Sequence, residues 1–322
     1  MTTADKFVQM LFAVALFAAV MGLVLFIVGR AKGRRADRWQ AIAFVGPAVI
    51  MLLIGLVYPA IKTAYQSFFN GDSSKFVGLD NYKTMFTSPD LLQVLRNTFI
   101  WVLITPFVAT AIGLIYAVLV DRIRFERIAK ALIFLPMAIS FVGASIIWKF
   151  VYEYRPDQPG VNQIGLLNQI LVWLGQQPKQ FLLNSPWNTF FLIVVMIWIQ
   201  AGFAMTILSA AIKAIPDDIV EAARLDGVYG FKMFRYVTVP SIRPALIVVL
   251  TTISIAVLKV FDIVRTMTGG QFKTSVVANE FYFQSFRAFD TGLGASLAMV
   301  LFVLVIPIVV YNVRQQRKAE HR

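Results

Sequence analysis

The sequence predicts an all-α polytopic membrane protein with about seven transmembrane helices. Hydrophobic residues make up 58% of the 322 residues, and the mean hydropathy of +0.72 exceeds that of soluble globular proteins. Apolar stretches of about 20 residues recur along the chain, and a helix of that length crosses the hydrocarbon core of a bilayer. A soluble fold of one or two domains is therefore excluded.

Seven membrane spans are predicted, and the first of them is retained rather than cleaved. Its apolar run is too long for a signal peptide and lacks a cleavage site of small residues after it. Several spans contain a proline, which predicts a helix kink or a hinge for gating. The predicted spans cover residues 7–28, 41–60, 97–120, 131–151, 188–212, 243–264 and 291–312.

The distribution of basic residues predicts an N-terminus outside and a C-terminus in the cytoplasm. More than half of the 30 Lys and Arg residues lie in segments 29–40, 121–130 and 213–243 and in the C-terminal tail. Basic residues accumulate on the cytoplasmic side of membrane proteins. The net charge of +13 could suggest a nucleic-acid partner. Because the topology accounts for the charge, no nucleic-acid partner is expected.

Residues 213–243, called the polar loop below, separate two apolar spans and show a helix–turn pattern. Pro216 suits the first turn of a helix, and the acidic residues after it favour the positive end of the helix dipole. Gly227 permits the left-handed turn that ends a helix. A second short helix is expected from about Phe231 to Pro240. An alternative is a helix lying on the lipid surface, but its acidic residues would be repelled by anionic headgroups.

The sequence offers no support for enzyme chemistry. There is no cysteine, and the single histidine, His321, lies next to the C-terminal end. Disulfides, thiolate metal sites and the usual nucleophile–histidine sets are therefore excluded. The chain also lacks the G-x-x-x-x-G-K-[ST] phosphate loop. We predict no catalytic residue, no metal site and no cofactor bound by this chain.

The polar loop resembles the EAA motif of ABC importer permeases. The matching residues are Glu221, Ala222, Ala223, Asp226, Gly227, Phe234 and Pro240. In that family the loop is a coupling helix that docks in a cleft of the cytoplasmic ATPase subunit. Further segments, Gly78–Tyr82, Phe134–Pro136 and Gly269–Gly270, resemble the carbohydrate-uptake branch and its maltose/α-glucoside type. Gln271 departs from the proline that often follows the glycine pair in that type, and this departure suggests the α-glucoside subgroup.

The resemblance implies a set of partners and a location. It implies a second homologous permease, a dimer of ATPase subunits, an extracytoplasmic solute-binding protein, a sugar substrate and the lipid bilayer. ATP and Mg²⁺ would bind to the ATPase subunits, and the chain would lie in the bacterial cytoplasmic (inner) membrane. Residues 1–40 would form an extra transmembrane helix with a basic cytoplasmic linker. Residues 41–322 would form a permease domain of six spans that includes the polar loop.

Two of the predicted spans carry polar and aromatic residues that could line a path for sugar. Polar groups are costly in lipid and usually face a bundle interior or a cavity. In the sixth span a spacing of seven and ten residues predicts one helical face, on which Lys259 and Asp262 could pair. The alternative is that these residues only hold helices together. The candidates are Gln200, Phe203 and Thr206 in the fifth span and Thr252, Lys259 and Asp262 in the sixth.

Three functional hypotheses remain open at this point. The first is the permease subunit of an ATP-driven importer for a sugar, such as an oligosaccharide or an α-glucoside like maltose or trehalose. The second is a stand-alone secondary carrier or channel for a small polar solute, with Lys259 and Asp262 as its candidate ion-coupling site. The third is a membrane scaffold or an intramembrane enzyme, which leaves the polar loop unexplained.

Overall fold

The computed structural model describes residues 3–30, 36–121, 124–156, 158, 160 and 162–320. Within those residues it consists of helices and their connections, without a β-strand element. The all-α prediction is therefore confirmed. The chain divides into two compact units, residues 1–65 and residues 66–322. The predicted boundary at residue 40 stays a prediction.

The first unit consists of apolar helices. It contains α1 (Thr3–Arg30) and α2 (Ala36–Leu52), and a π-helical turn (Leu53–Val57) connects α2 to α3 (Tyr58–Gln66). Pro59 is the second residue after the π turn and lacks the N–H that a regular helix needs, which is a common cause of such a turn. None of the described side chains in the apolar segment of α1 is buried within the protein. It is therefore suited to contact lipid.

The second unit contains thirteen described helices and two turns of different helical pitch. A 3₁₀ turn (Leu135–Ala138) follows α6, and a π turn (Phe234–Thr238) connects α11 to α12. The helices are α4 (Asp80–Thr87), α5 (Pro89–Val120), α6 (Glu126–Phe134), α7 (Phe141–Val151), α8 (Leu166–Trp173), α9 (Trp187–Lys213), α10 (Asp217–Leu225), α11 (Gly230–Met233), α12 (Val239–Ser241), α13 (Arg243–Leu258), α14 (Asp262–Met267), α15 (Val277–Phe286) and α16 (Thr291–Glu320).

Five described helices are long and apolar enough to cross a membrane, and two bent pairs raise the number to seven. The bent pairs are Glu126–Ala138 with Phe141–Val151, at 101°, and Gly230–Ser241 with Arg243–Leu258, at 70°. Counting each bent pair as one span gives the predicted seven. The straight spans are Phe7–Phe26, Phe44–Gln66, Pro89–Val120, Trp187–Lys213 and Thr291–Gln315.

Two of the predicted spans are not continuous helices, and the break in one of them lies at a proline, where the sequence predicts a kink or hinge. The span at 131–151 is broken at the 3₁₀ turn that contains Pro136, because proline cannot continue the backbone hydrogen bonds of an α-helix. A new helix then begins at Ser140, whose hydroxyl accepts a hydrogen bond from the Gly143 N–H at 3.1 Å. The span at 243–264 ends early, since α13 stops at Leu258 and α14 begins at Asp262.

The core of the second unit is built on the packing of α5 against α9, the most extensive helix pair. A Cβ atom on Gly113 of α5 would lie 2.4 Å from the Ala204 Cβ on α9, so the two backbones are in close contact there. Trp101 of α5 and Leu192 of α9 are fully buried in the same core. Close approach at a small residue is the usual means of joining helices in membranes.

Candidate functional site

The polar loop folds as the sequence predicts. Helix α10 follows Pro216 and ends at Leu225, two residues before Gly227, which has a φ of +76°. The Gly227 N–H donates to the Arg224 carbonyl at 3.0 Å, and the Val228 N–H donates to the Ala223 carbonyl at 2.9 Å. These two hydrogen bonds form a Schellman motif, which requires a left-handed residue. The predicted role of Gly227 in ending the helix is confirmed.

Helix α10 has almost no support from the rest of the chain. None of its residues is buried, and the Leu225 side chain is 90% exposed. Glu221, Ala222 and Asp226 are exposed as well, while Ala223 is half-buried. Among the described residues, the side chains of α10 form no hydrogen bond or ion pair within this chain. An amphipathic helix in this condition offers its surface to another molecule.

The returning half of the polar loop packs against the end of α5. Phe231 and Phe234 lie with ring centroids 6.0 Å apart. Both rings line a cavity of about 430 Å³ together with Ile115 and Leu119 of α5. Pro240 is exposed in α12. The loop is therefore attached through its second helix, while α10 projects from it.

The predicted path residues of the fifth span lie on α9 at different depths. Gln200 is buried, with 8% of its surface exposed, whereas Phe203 is half-buried. Thr206 is exposed, and its hydroxyl donates to the Gly202 carbonyl at 2.9 Å. Thr206 and Phe134 also line a cavity of about 450 Å³. This cavity lies at the C-terminal end of α9, where the polar loop begins.

The prediction that Lys259 and Asp262 share one helical face is wrong, because α13 ends before them. Lys259 is the C-cap residue of that helix. The Lys259 N–H donates to the Ala256 carbonyl and the Val260 N–H donates to the Val257 carbonyl, and these i to i−3 hydrogen bonds close its last turn. The predicted Lys259–Asp262 ion pair is absent among the described residues. Both side chains nevertheless line one cavity of about 200 Å³, together with Phe141 and Met196.

The six predicted path residues therefore do not form a single stripe. Lys259 and Asp262 share a cavity with Met196, while Thr206 lines a separate one. Residues 196 and 206 are ten positions apart on α9, which corresponds to about 15 Å along a helix. Thr252 is exposed on α13 and lines neither cavity.

The broken span contacts α9 between these two cavities. A Cβ atom on Gly202 would lie 2.5 Å from the Ile133 carbonyl oxygen and 3.2 Å from the Phe134 Cα. The main chain next to the 3₁₀ turn therefore rests directly on α9 beside Gln200 and Phe203. The break at Pro136 places irregular backbone against α9, where membrane proteins tolerate it only when it is covered by protein or lines a cavity.

A cluster of ionic side chains joins three helices beside the polar loop, and sequence reasoning missed it. Asp121 follows α5, Glu126 and Lys130 lie on α6, and Ser209 and Lys213 lie at the end of α9. Lys130 forms ion pairs with Asp121 and with Glu126, the latter at 2.8 Å. Lys213 forms an ion pair with Glu126. The Ser209 hydroxyl donates to Asp121 Oδ1 at 2.7 Å. Only the Glu126–Lys130 spacing of four could have been recognised from the sequence.

The connection that follows α14 is held by buried side-chain amides. This segment, residues 268–276, is called the glycine loop below. Asn97 donates to the carbonyls of Lys273 at 2.7 Å and Ser275 at 2.9 Å, and Asn188 donates to the Phe272 carbonyl at 2.8 Å. Phe272 and Lys273 have positive φ values of 54° and 61°. Such backbone is strained for non-glycine residues and persists only where its surroundings fix it.

The described residues contain no group of three acidic or histidine side chains that could hold a metal ion. The polar groups gathered here are instead amides, hydroxyls and paired charges. Such groups can bind a neutral polar solute or connect helices.

Comparison with protein families matches residues 93–316 to the family described as binding-protein-dependent transport system inner membrane component. The osmoprotective compounds uptake permease protein GgtC of Synechocystis is 48% identical over 277 residues, covering 86% of this chain and 99% of the relative. The alpha-glucoside transport system permease protein AglF of Rhizobium meliloti is 48% identical over 272 residues, covering 84% of this chain and 80% of the relative.

Solved structures with the same fold include one chain of a bacterial ABC transporter that imports the acidic polysaccharide alginate. It superposes with a TM-score of 0.75 at 22% identity, covering 88% of this chain and 97% of that one. A chain of the inward-facing MetNI methionine ABC transporter matches with a TM-score of 0.52 at 18% identity, covering 72% of this chain and 98% of that one. At these identities the likeness establishes the fold.

Proposed function

Since this chain belongs to the family of binding-protein-dependent transport system inner membrane components, we propose that it imports a sugar of the α-glucoside class, such as maltose or trehalose. The observation that carries the substrate class is the 48% identity to the alpha-glucoside permease AglF over 84% of this chain. The chain is equally identical to GgtC, whose name refers to the uptake of osmoprotective compounds. We therefore regard such compounds as a second candidate substrate class.

The chain is a transport subunit of the inner membrane and not an enzyme. ATP hydrolysis belongs to separate ATPase subunits, which we propose form a dimer that binds ATP and Mg²⁺. We further propose a second homologous permease beside this one and an extracytoplasmic solute-binding protein that delivers the sugar. The family description and the transport systems of the relatives support this assembly.

We propose that the polar loop lies on the cytoplasmic side and receives the ATPase. The distribution of basic residues supports this orientation. The exposure of α10 and the absence of internal partners for its side chains support a docking role. In this proposal Glu221, Ala222, Ala223, Asp226 and Gly227 form the surface that enters the ATPase, and Phe234 and Pro240 attach the loop to α13.

Transport would then follow from the motion of this loop by alternating access. Closure of the ATPase dimer around ATP would pull α10 inward together with the ends of α9 and α13 that flank the loop. Those two helices carry the candidate path residues, so the same movement would open the cavity near Lys259 and Asp262 toward the solute-binding protein. ATP hydrolysis would reverse the movement and release the sugar inside.

We propose that the candidate path residues contact the sugar at different stages of transport. Lys259, Asp262 and Phe141 surround one cavity, so they combine charged hydrogen-bonding groups with an aromatic face, as a sugar site requires. Gln200 and Phe203 lie farther along α9, on the way to the cavity at Thr206. We propose that sugar contacts Lys259 and Asp262 first and then passes Gln200 and Phe203. Thr252 lines neither cavity, so it has no role in this proposed path.

The test is uptake by the complete transporter reconstituted in vesicles, with a panel of α-glucosides and osmoprotective compounds. We expect uptake that requires ATP, the ATPase subunits and the solute-binding protein. Uptake by this chain alone in ATP-free vesicles would instead establish the secondary carrier, and an ATP-dependent complex that transports neither solute class would overturn the substrate proposal.

A glycine variant tests the docking role of the polar loop within the same assay. Gly227→Trp places a large side chain at the end of α10 and should abolish uptake while membrane insertion remains intact. The matched control is Gly175→Trp, since Gly175 also has a positive φ, of 71°, with nothing within 4 Å of a Cβ atom. Full uptake by Gly227→Trp would contradict the assignment.

A further inference from the structure

We propose that Lys213 is a positioning residue that exchanges its carboxylate partner, Glu126 for Asp121, during each transport cycle. The proposal rests on the function proposed above and goes beyond it. It identifies the contact through which movement of the polar loop reaches the turn between α5 and α6. Lys213 is the last residue of α9, three positions before Pro216.

The geometry gives Lys213 two places to bind. Its ammonium group bonds to Glu126 Oε1 and lies 4.0 Å from Asp121 Oδ1. Asp121 Oδ1 already accepts from Ser209 and Lys130. Asp121 Oδ2 is buried and has no hydrogen-bond partner among the described residues. A buried carboxylate oxygen without a donor is unfavourable, so a shift of the Lys213 ammonium toward Asp121 would be compensated there.

Burial divides the cluster into a fixed part and an exchangeable part. The Asp121 side chain is 10% exposed and Lys130 is 24% exposed, so their ion pair is partly removed from water. Lys213 is 51% exposed, and an exposed ion pair contributes little net free energy. The inner pair therefore holds α5 to α6, while the outer Lys213 can change partner at small cost. The long flexible side chain and compact charge of lysine suit such an exchange.

The position of the cluster connects it to the transport cycle. Lys130, Ser209 and Lys213 line the cavity of about 450 Å³ that Thr206 also lines. Asp121 lines the neighbouring cavity of about 430 Å³, which contains Phe231 and Phe234 of the polar loop. The cluster thus includes the first residue of the polar loop and borders the cavity that contains Phe231 and Phe234. A movement of α10 displaces Lys213 directly, because only three residues of chain separate them.

The first experiment measures the number of ATP molecules hydrolysed per sugar imported by the complete reconstituted transporter. We expect Lys213→Met to raise this ratio about fivefold, since the loop then moves without the α5–α6 turn. Lys213→Arg should retain a near-normal ratio, and Arg127→Met is the matched control because Arg127 is an exposed cation on α6 without an ion pair among the described residues. An unchanged ratio in Lys213→Met, or an equal rise in Arg127→Met, would overturn the proposal.

A double-mutant cycle separates the exchange from a general loss of charge. Glu126→Gln and Asp121→Asn should each raise the ratio, and each double variant with Lys213→Met should raise it by less than the two single effects together, because both changes remove the same contact with Lys213. Full additivity in both combinations contradicts the proposal. The wild-type complex serves as the reference for the function itself. If it shows no ATP-driven uptake the proposed function fails, whereas normal wild-type uptake with silent variants refutes only this inference.

A distance measurement tests the movement of α9 relative to α6 directly, in a variant that keeps all the ion pairs of the cluster. The natural chain has no cysteine, so spin labels can be placed on Ile128→Cys and Ala214→Cys, both exposed positions next to the cluster. We expect the label distance in the transporter to differ between the nucleotide-free and ATP-trapped states. The same distance in both states would contradict an exchange of partners.

Discussion

Helix α13 is flanked by two polar connections that are built in opposite ways. Helix α10 of the polar loop before it is exposed, since the structure buries none of its residues. The glycine loop after α14 is fixed by Asn97 and Asn188, which are 2% and 0% exposed. Both connections depend on glycines with positive φ, at Gly227 and at Gly270. The glycine loop is fixed by hydrogen bonds from side chains of other helices, whereas the side chains of α10 form none among the described residues.

The difference indicates where each connection obtains its stability. The glycine loop owes its strained conformation to the protein's own amide and hydroxyl groups, including a bond from the Val277 N–H to Thr98 Oγ1 at 2.9 Å. Helix α10 is too short to be stable alone in water and lacks such contacts. A segment with little internal stability is suited to dock on a partner and move with it. We therefore regard the glycine loop as part of the scaffold and the polar loop as the moving part.

The largest effect on stability is expected from Asn97→Ala. The substitution removes the donor from the partly buried Lys273 carbonyl and from the buried Ser275 carbonyl, which should cost about 3 kcal/mol of folding free energy. Thermal unfolding of the detergent-purified protein measures this loss. The control is Gln93→Ala, since Gln93 donates to Asn97 Oδ1 at 2.8 Å and forms no hydrogen bond to the glycine loop among the described residues. Equal unfolding temperatures for both variants would contradict a role of Asn97 in holding the loop.

An intermediate effect should distinguish the two glycines. Gly270→Ala places a Cβ atom 2.3 Å from Asn279 Nδ2, which is hydrogen-bonded in a buried site, whereas Gly227→Ala meets nothing within 4 Å. Both variants carry the cost of a left-handed alanine, about 1 kcal/mol. We therefore expect the unfolding temperature to fall clearly further for Gly270→Ala. A larger fall for Gly227→Ala would reverse the comparison.

The smallest effect on stability should come from α10 itself. Because Glu221 and Leu225 are exposed, Glu221→Lys and Leu225→Ala should each change the folding free energy by less than about 0.5 kcal/mol. Both variants should nevertheless lose most of the ATPase subunits during purification of the complex. The measurement is the amount of ATPase that is retained by affinity-purified permease. Strong destabilisation with full retention would show that α10 serves the fold and not the partner.

The sequence was sufficient to predict the membrane spans and the polar loop because these depend on local patterns. Length and hydropathy identify spans, and Gly227 identifies the end of α10. The break between α13 and α14 was harder to predict, because the residue types from Lys259 to Phe261 are compatible both with a continuing helix and with a helix end. The cluster of Asp121 with Lys213 was out of reach, because those residues are brought together only by the packing of α5 against α9. The asparagine contacts to the glycine loop were missed for the same reason.

Hydrogen exchange of the α10 amides, with and without the ATPase subunits, tests the central claim most directly. In the isolated permease we expect the Asp226 and Val228 amides to exchange at least about tenfold faster than the Val277 amide of the scaffold. Binding of the ATPase should slow the α10 amides and leave Val277 unchanged. Protection of α10 in the isolated permease, or the same exchange with and without the ATPase, would contradict the account.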